Sequence, residues 1–176
     1  MDARKVTSMK LPALACSLLL GSVLSLLSPG LFAADGLADH VVVEKSARKL
    51  YLMAGEQVLR EFDIALGFTP EGDKQQEGDF RTPEGAYQLT RRRMDSDYFM
   101  AIQISYPNAK DLAEASARGV SAGSNIMIHG QPGKPKRTSR YYASNDWTEG
   151  CIAVSNAAMI DIWQLTAANT PITIKP

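Results

Sequence analysis

The stretch WTEGCIAV at residues 147–154 sets the expected organisation of the rest of the chain. It holds Cys151, and Gly150 before the cysteine lets the backbone bend sharply. The apolar residues after the cysteine indicate a buried segment that would hold such a bend in place. The sequence therefore predicts a turn that presents a thiol at an exposed rim on a rigid base.

A second short apolar run, residues 126–128, ends in His129 and Gly130 and is typical of a core strand. Such a strand would deliver an imidazole to an edge of the sheet. A cysteine needs a base within hydrogen-bond reach, because a free thiol is largely protonated at neutral pH. The chain has only two histidines, and we interpret His40 as a strand start without a chemical role. Cys151 and His129 are therefore the candidate nucleophile and base.

The backbone amides of Gly150 and Cys151 lie at the predicted turn, where they could donate to the oxyanion formed when a thiolate attacks an amide carbonyl. Glu149 opposes thiolate formation unless it points away or binds a cationic group on the substrate. These features together favour acyl transfer.

The composition is that of one globular domain, with 176 residues, 45% of them hydrophobic and 22% charged. A formal net charge of zero lacks the basic character typical of nucleic-acid binding. Zinc sites need three or four ligands, and no spaced set of Cys and His supplies them. There is also no Cys-x-x-Cys redox motif. We expect no metal, no cofactor and no nucleic-acid partner.

Residues 1–34 have the features of a secretory signal peptide. Basic residues precede an apolar run at residues 11–27, and small residues at 33–34 offer a cleavage site. A membrane anchor is the alternative, but polar and helix-breaking residues interrupt the run. We predict that residues 35–176 form the mature catalytic domain, located in the periplasm or cell wall without an integral membrane segment.

Cys151 would be the only cysteine of the mature protein, because Cys16 is removed with the signal peptide. Exported proteins meet an oxidising compartment, in which a structural cysteine is normally paired. A buried, inert cysteine is one interpretation. We favour a nucleophile, because polar Thr148 and Glu149 lie beside Gly150.

Alternating apolar and polar residues predict a mainly β protein that opens as a meander. A helix is predicted at residues 109–118 with Asn108 as its N-cap, and another at 157–165 capped by Asn156. Residues 67–85 are rich in Gly, Pro and charged residues and form a long loop. The predicted strands are residues 40–45, 49–54, 57–66, 86–90, 102–106, 126–129 and 171–174.

The chain resembles the L,D-transpeptidase (YkuD) catalytic domain family in its strand ending at His129-Gly130, followed by a variable loop and Thr148-x-Gly150-Cys151-Ile152. The meander, residues 78–87 and residues 106–108 resemble the family as well, over nearly all of residues 39–176. The resemblance implies a mainly β sandwich or barrel domain with one or two short helices. It also implies a catalytic cysteine, a histidine base oriented by a backbone carbonyl, and peptidoglycan stem peptides as substrates.

The chain has Glu149 and Ala153 where many members carry His and then Arg or Asn. This form resembles a branch that includes a hydrolase removing a lipoprotein from peptidoglycan. An amine acceptor would give transfer, whereas water would give hydrolysis by an L,D-carboxypeptidase or amidase. A wall-attached lipoprotein is thus a possible partner, and a non-catalytic peptidoglycan-binding module is the second alternative.

The interval between the two candidate catalytic residues, residues 131–147, is interpreted as the substrate wall. Its basic residues complement the carboxylates of stem peptides, and its aromatic residues could supply apolar contact. A merely solvated basic loop is the alternative. The predicted contacts are Lys134, Lys136, Arg137, Arg140, Tyr141, Tyr142 and Trp147, opposed by the single acid Asp146. Thr148 and Glu149 are also predicted to contact substrate.

Overall fold

The computed structural model describes Met1 and residues 36–176. The predicted signal peptide, residues 1–34, lies outside the described residues apart from Met1. The strands are β1 His40–Glu44, β2 Lys49–Ala54, β3 Gln57–Asp63, β4 Gly85–Arg93, β5 Ala101–Ile104, β6 Met127–His129, β7 Ile152–Ala153 and β8 Pro171–Lys175. The helices are α1 Ala109–Ala117, α2 Ser139–Ser144 and α3 Asn156–Leu165.

All eight strands belong to one sheet, in the order β3-β2-β1-β8-β4-β5-β6-β7. The first three form the predicted antiparallel meander. Burial alternates along β1 and along the first four residues of β2, so one face of each strand packs into the core. Val41 lies opposite Leu52 and Val43 opposite Leu50, and all four side chains are fully buried.

The last strand, β8, lies in the middle of this sheet, parallel to β1 and antiparallel to β4. Its buried residues Ile172 and Ile174 continue the apolar face of β1. Met159 and Ile162 of α3 are also fully buried and belong to the same core cluster.

The sheet curls so that the segment after β3 meets the strand at the other edge. Ala65 and Ala153 exchange two backbone hydrogen bonds, each 2.8 Å long. Further along, Gly67 pairs with Thr148. The turn that carries Cys151 is therefore held from both sides, by β6 and by residues 64–67.

The helices begin at side-chain caps. The Asn108 carboxamide accepts hydrogen bonds from Lys110 N and Asp111 N, and the Asp111 carboxylate accepts one from Asn108 N, forming the predicted start of α1. The predicted cap of α3 is wrong by one residue. Ser155 caps that helix, whereas the Asn156 side chain accepts from Gln131 N at 2.8 Å.

The fold is a mainly β domain with a curled eight-stranded sheet and three short helices, in agreement with the predicted fold class. The short helix α2 lies within residues 131–147, for which the sequence predicts only a loop. Its six residues are too few to show a helical apolar pattern. Within the described ranges, no helix is both long and apolar enough to span a bilayer.

Candidate active site

His129 ends β6, and Cys151 directly precedes the neighbouring parallel strand β7. In β6 and β7, Ile128 pairs with Ile152 and His129 pairs with Ala153. Cys151 lies two residues before Ala153, and side chains two apart on a strand point to the same face. The register therefore places the thiol and the imidazole on the same side of the sheet edge.

Both side chains line one cavity of about 380 Å³. His129 is only 2% exposed, whereas Cys151 is partly exposed. Thr148, Glu149 and Trp147 line the same cavity. The structure thus brings together five of the residues that the sequence analysis selected.

The imidazole of His129 is fixed by one hydrogen bond and two aromatic rings. Its Nδ1 lies 2.7 Å from the Gly130 carbonyl oxygen, and a carbonyl can only accept, so Nδ1 carries the proton. The Tyr98 ring stacks on the imidazole at 4.0 Å, and the Trp147 ring meets it edge-on at 5.6 Å. These contacts leave Nε2 as the nitrogen available to accept a proton.

Burial lowers the pKa of His129 from its ordinary 6.5 to about 4, although the hydrogen bond to Gly130 opposes this shift. The imidazole is therefore neutral at neutral pH. A neutral imidazole can act as a general base, which a protonated one cannot.

The thiol of Cys151 is also neutral at rest. Burial raises its pKa, and the nearby Glu149 carboxylate adds to this effect. The Met127 amide and the Lys74 ammonium oppose it. The sulfur lies 3.7 Å from the Asn125 carbonyl oxygen, which accepts the weak thiol hydrogen bond. The resting site thus holds a thiol and a neutral base rather than a preformed ion pair.

The turn before Cys151 is held by Thr148. Its hydroxyl donates to the Cys151 carbonyl at 2.7 Å and accepts from Gly150 N at 3.2 Å. The Gly150 amide, a predicted oxyanion donor, is thus engaged within the turn, and the Cys151 amide is the next candidate.

The glycine at position 150 is required by close backbone packing as well as by its φ of +127°. A Cβ there would lie 2.7 Å from the Arg81 carbonyl oxygen. Facing it, a Cβ on Gly67 would lie 2.0 Å from the Phe80 carbonyl oxygen. The turn that carries Cys151 is therefore pressed directly against residues 67–84, which we term the anchored loop.

Among the residues that border the site but were not selected from the sequence are Lys74 on the anchored loop, Tyr98 and Asn125. Lys74 lies in a run of charged residues that is typical of solvated loops, and Tyr98 follows an acidic segment that predicts no structure. No local sequence pattern indicates that these three residues lie close together in the folded protein. Their positions follow from long-range packing, which spacing along the chain does not reveal.

Residues 131–147, which we term the basic segment, border the site mainly through Trp147. Lys134 and Lys136 line a second cavity of about 740 Å³, which Tyr98 and Trp147 separate from the first. Arg137, Arg140 and Tyr141 line neither cavity. The Arg137 guanidinium instead lies over the Tyr141 ring, 5.7 Å from its centroid.

Across the described residues, no group of three or more His, Cys, Asp or Glu side chains is placed to hold a metal ion.

Comparison with known proteins identifies the class of protein to which the chain belongs. The L,D-transpeptidase catalytic domain model matches residues 38–174. The chain therefore belongs to the L,D-transpeptidase (YkuD) catalytic domain family.

Relatives within this family can be named. The Escherichia coli protein described as "Putative L,D-transpeptidase YafK" is 33% identical over 129 residues, which are 71% of this chain and 45% of that protein. The helical cell shape determining protein Pgp2 from Campylobacter jejuni is 27% identical, with a TM-score of 0.59 over 77% of this chain and 46% of that one. Bd1075 from Bdellovibrio bacteriovorus is 26% identical, with a TM-score of 0.54 over 77% of this chain and 47% of that one. The chain thus spans less than half the length of each of these relatives.

Proposed function

We propose that the chain is an exported cysteine acyltransferase that forms an acyl-enzyme on Cys151 with peptidoglycan stem peptides. The observation that carries this proposal is the shared cavity, in which the thiol and a neutral imidazole lie on one face of two neighbouring strands. Membership of a family that acts on peptidoglycan stem peptides supports the substrate class. The apolar and basic character of residues 1–34 supports export to the periplasm.

The proposed reaction begins when His129 Nε2 takes the thiol proton as the sulfur attacks the substrate carbonyl. The Cys151 amide donates to the developing oxyanion. Collapse of the tetrahedral intermediate breaks the amide bond, and the imidazolium returns its proton to the leaving amine. A thioester on Cys151 remains, and the imidazole is neutral again.

The second half of the reaction decides the product. An amine acceptor attacking the thioester would give a new amide bond, whereas water would give a free carboxylate. In either case His129 would take a proton from the attacking group and return it to the sulfur. Glu149 is exposed at the cavity rim, a position suited to a cationic group on a substrate. Because Glu149 and Ala153 stand where many family members carry His and then Arg or Asn, hydrolysis by an L,D-carboxypeptidase or by an amidase that releases a lipoprotein is the second candidate function.

The test is to incubate the purified protein with tetrapeptide muropeptides, with and without an amine acceptor, and to identify the products by mass. Exchanged or cross-linked products would support transfer, and loss of the leaving group alone would support hydrolysis. Cys151→Ala should abolish both activities and keep the fold. His129→Asn should lower the rate by about 10²- to 10⁴-fold, as expected for loss of a general base.

Full activity in the Cys151→Ala variant would refute the proposed nucleophile. A non-catalytic wall-binding module would instead bind sacculi without any covalent adduct. Intact mass after incubation with the muropeptide distinguishes the two, because only the enzyme gains the mass of the acyl group.

A further inference from the structure

The cavity that holds Cys151 and His129 is also lined by a buried lysine, Lys74. Only 6% of this residue is exposed. Its Nζ donates to the Asp79 carboxylate at 2.7 Å and to the Gln76 carbonyl at 3.1 Å. A buried ammonium is costly unless it is paired, and Asp79 supplies the pairing charge.

A second buried lysine of the same region, Lys45, is an example of an ammonium group with a purely structural role. Lys45 is 2% exposed and donates to the Gly72 and Thr82 carbonyls and to the Glu84 carboxylate, at 2.6, 3.0 and 2.8 Å. Each of its three N–H groups has a partner, and it does not line the cavity. Among the described residues, Lys74 has two such partners, so one N–H remains for a group that enters the cavity.

The Asp79 carboxylate that pairs with Lys74 is also held by backbone amides. Burial opposes ionisation of Asp79, but Lys74 and the amides of Gln75, Gln76 and Arg81 together hold its pKa below the ordinary value. The carboxylate therefore divides its charge among four donors. The positive field of Lys74 reaches the sulfur, since it opposes the rise in the pKa of Cys151.

The remaining charged groups of the cavity are acidic and lie on its exposed side. Glu77 and Glu149 are both exposed, and the Glu77 carboxylate accepts a hydrogen bond from the Ser121 hydroxyl at 2.9 Å. The cavity thus has a cationic buried side and an anionic rim. A carboxylate would be repelled at the rim and bound at the buried side, beside the nucleophile.

We propose that Lys74 is a specificity-determining residue that binds the free terminal carboxylate of the residue beyond the scissile amide. It would select stem peptides that end one residue after the attacked carbonyl. This inference rests on the proposed function, because it concerns the substrate of the same site. Amidation of that terminal residue removes the charge and should weaken recognition.

The experiment compares one tetrapeptide muropeptide with its C-terminal carboxamide. The wild-type protein should have a kcat/KM about 10- to 100-fold higher for the free acid, since a hydrogen bond to a charged group is at stake. Lys74→Met removes the charge and keeps the apolar stem, so its kcat/KM for the free acid should no longer exceed that for the carboxamide. The double variant Lys74→Met, Asp79→Asn should behave in the same way, and it does not leave the Asp79 carboxylate without its ammonium partner.

Lys45→Met is the matched control, because it removes a buried lysine of the same region that does not face the cavity. It should be less stable yet keep the preference for the free acid. An active wild-type protein that processes both substrates equally would overturn the assignment of Lys74 and leave the proposed function standing. Retention of the preference in both Lys74 variants would overturn it as well. A folded wild-type protein inactive on both substrates would instead refute the proposed function, and this inference with it.

Discussion

The anchored loop, residues 67–84, and the basic segment, residues 131–147, border the same site but are held in different ways. The anchored loop has no helix or strand, yet buried ammonium groups, glycine contacts and Asp79 fix it from within. The basic segment contains α2, but most of its residues are exposed. Regular secondary structure is therefore a poor guide to which wall of the site is rigid.

The single acid of the basic segment shows where that segment is held. The Asp146 carboxylate pairs with the Arg48 guanidinium at 2.8 Å and accepts a hydrogen bond from Leu66 N at 2.8 Å. Trp147 N also donates to the Leu66 carbonyl. The segment is thus fastened at its end, next to the imidazole, while the basic side chains at residues 134–140 extend into solvent.

The largest effect should come from breaking the anchored loop. Lys45→Met leaves the Glu84 carboxylate and two carbonyl groups without their buried donor, so we expect a loss of about 3–5 kcal/mol in the free energy of unfolding. Urea denaturation followed by tryptophan fluorescence measures it. Arg140→Gln in the basic segment is the control and should change stability by less than about 0.5 kcal/mol. Similar losses for both variants would show that the two regions are not held differently.

The next largest effect on stability should come from the His129 imidazole, which packs against Trp147 at the fastened end of the basic segment. The unfolded chain protonates His129 near pH 6.5, but the folded protein does so only near pH 4. Between these values the unfolded state binds more protons, so stability falls as the pH is lowered from 6.5 to 4, by up to about 3 kcal/mol. Stability should not depend on this group above pH 6.5.

Thermal unfolding at several pH values, with His129→Gln as the comparison, isolates this contribution. The variant should lose less stability than the wild-type protein over the same range. Identical slopes in the two proteins would mean that Tyr98 and Trp147 do not keep the imidazole neutral.

The smallest effect should come from the exposed part of the basic segment. Replacing Lys136, Arg137 and Arg140 together by Gln should leave stability within about 0.5 kcal/mol of the wild-type value. Substrate capture at low salt should weaken about 3- to 10-fold, and the difference should shrink as salt is raised.

Binding of muropeptides to a Cys151→Ala background, measured at two salt concentrations, tests this prediction. Replacing Arg91, Lys110 and Lys175 by Gln changes the net charge equally at exposed positions that line neither cavity. If this control weakens capture as much as the first triple variant, the basic segment has no special role and only net charge matters.

Much of the fold follows from the sequence, because its signals are local. Two apolar runs separated by a polar turn within residues 40–54 predict the first hairpin, and Asn108 with Asp111 predicts the start of α1. The motif around Cys151 and the strand ending at His129 also identify the family. These features depend on residues that are close together along the chain.

The rest of the site depends on contacts between distant residues. Lys74 and Tyr98 have ordinary sequence surroundings, and only the folded sheet brings them to the cavity. The sequence also does not fully explain why residue 150 must be glycine. The Arg81 carbonyl oxygen, which leaves no room for a side chain at that position, lies far away along the chain. Thr148 was interpreted as a substrate contact, but its hydroxyl is engaged within the turn, so its part in binding stays a prediction.

The position of β8 has a consequence for the order in which the protein folds. This strand comes last along the chain but lies between β1 and β4, so it joins the meander to the half of the sheet that carries β6 and β7. Contacts of high sequence separation form slowly, because a long loop must close before they stabilise the chain. We expect the meander to form early and the two halves to unite only when β8 inserts, so that the pairing of Ala65 with Ala153, which holds the turn carrying Cys151 against the segment after β3, is completed late.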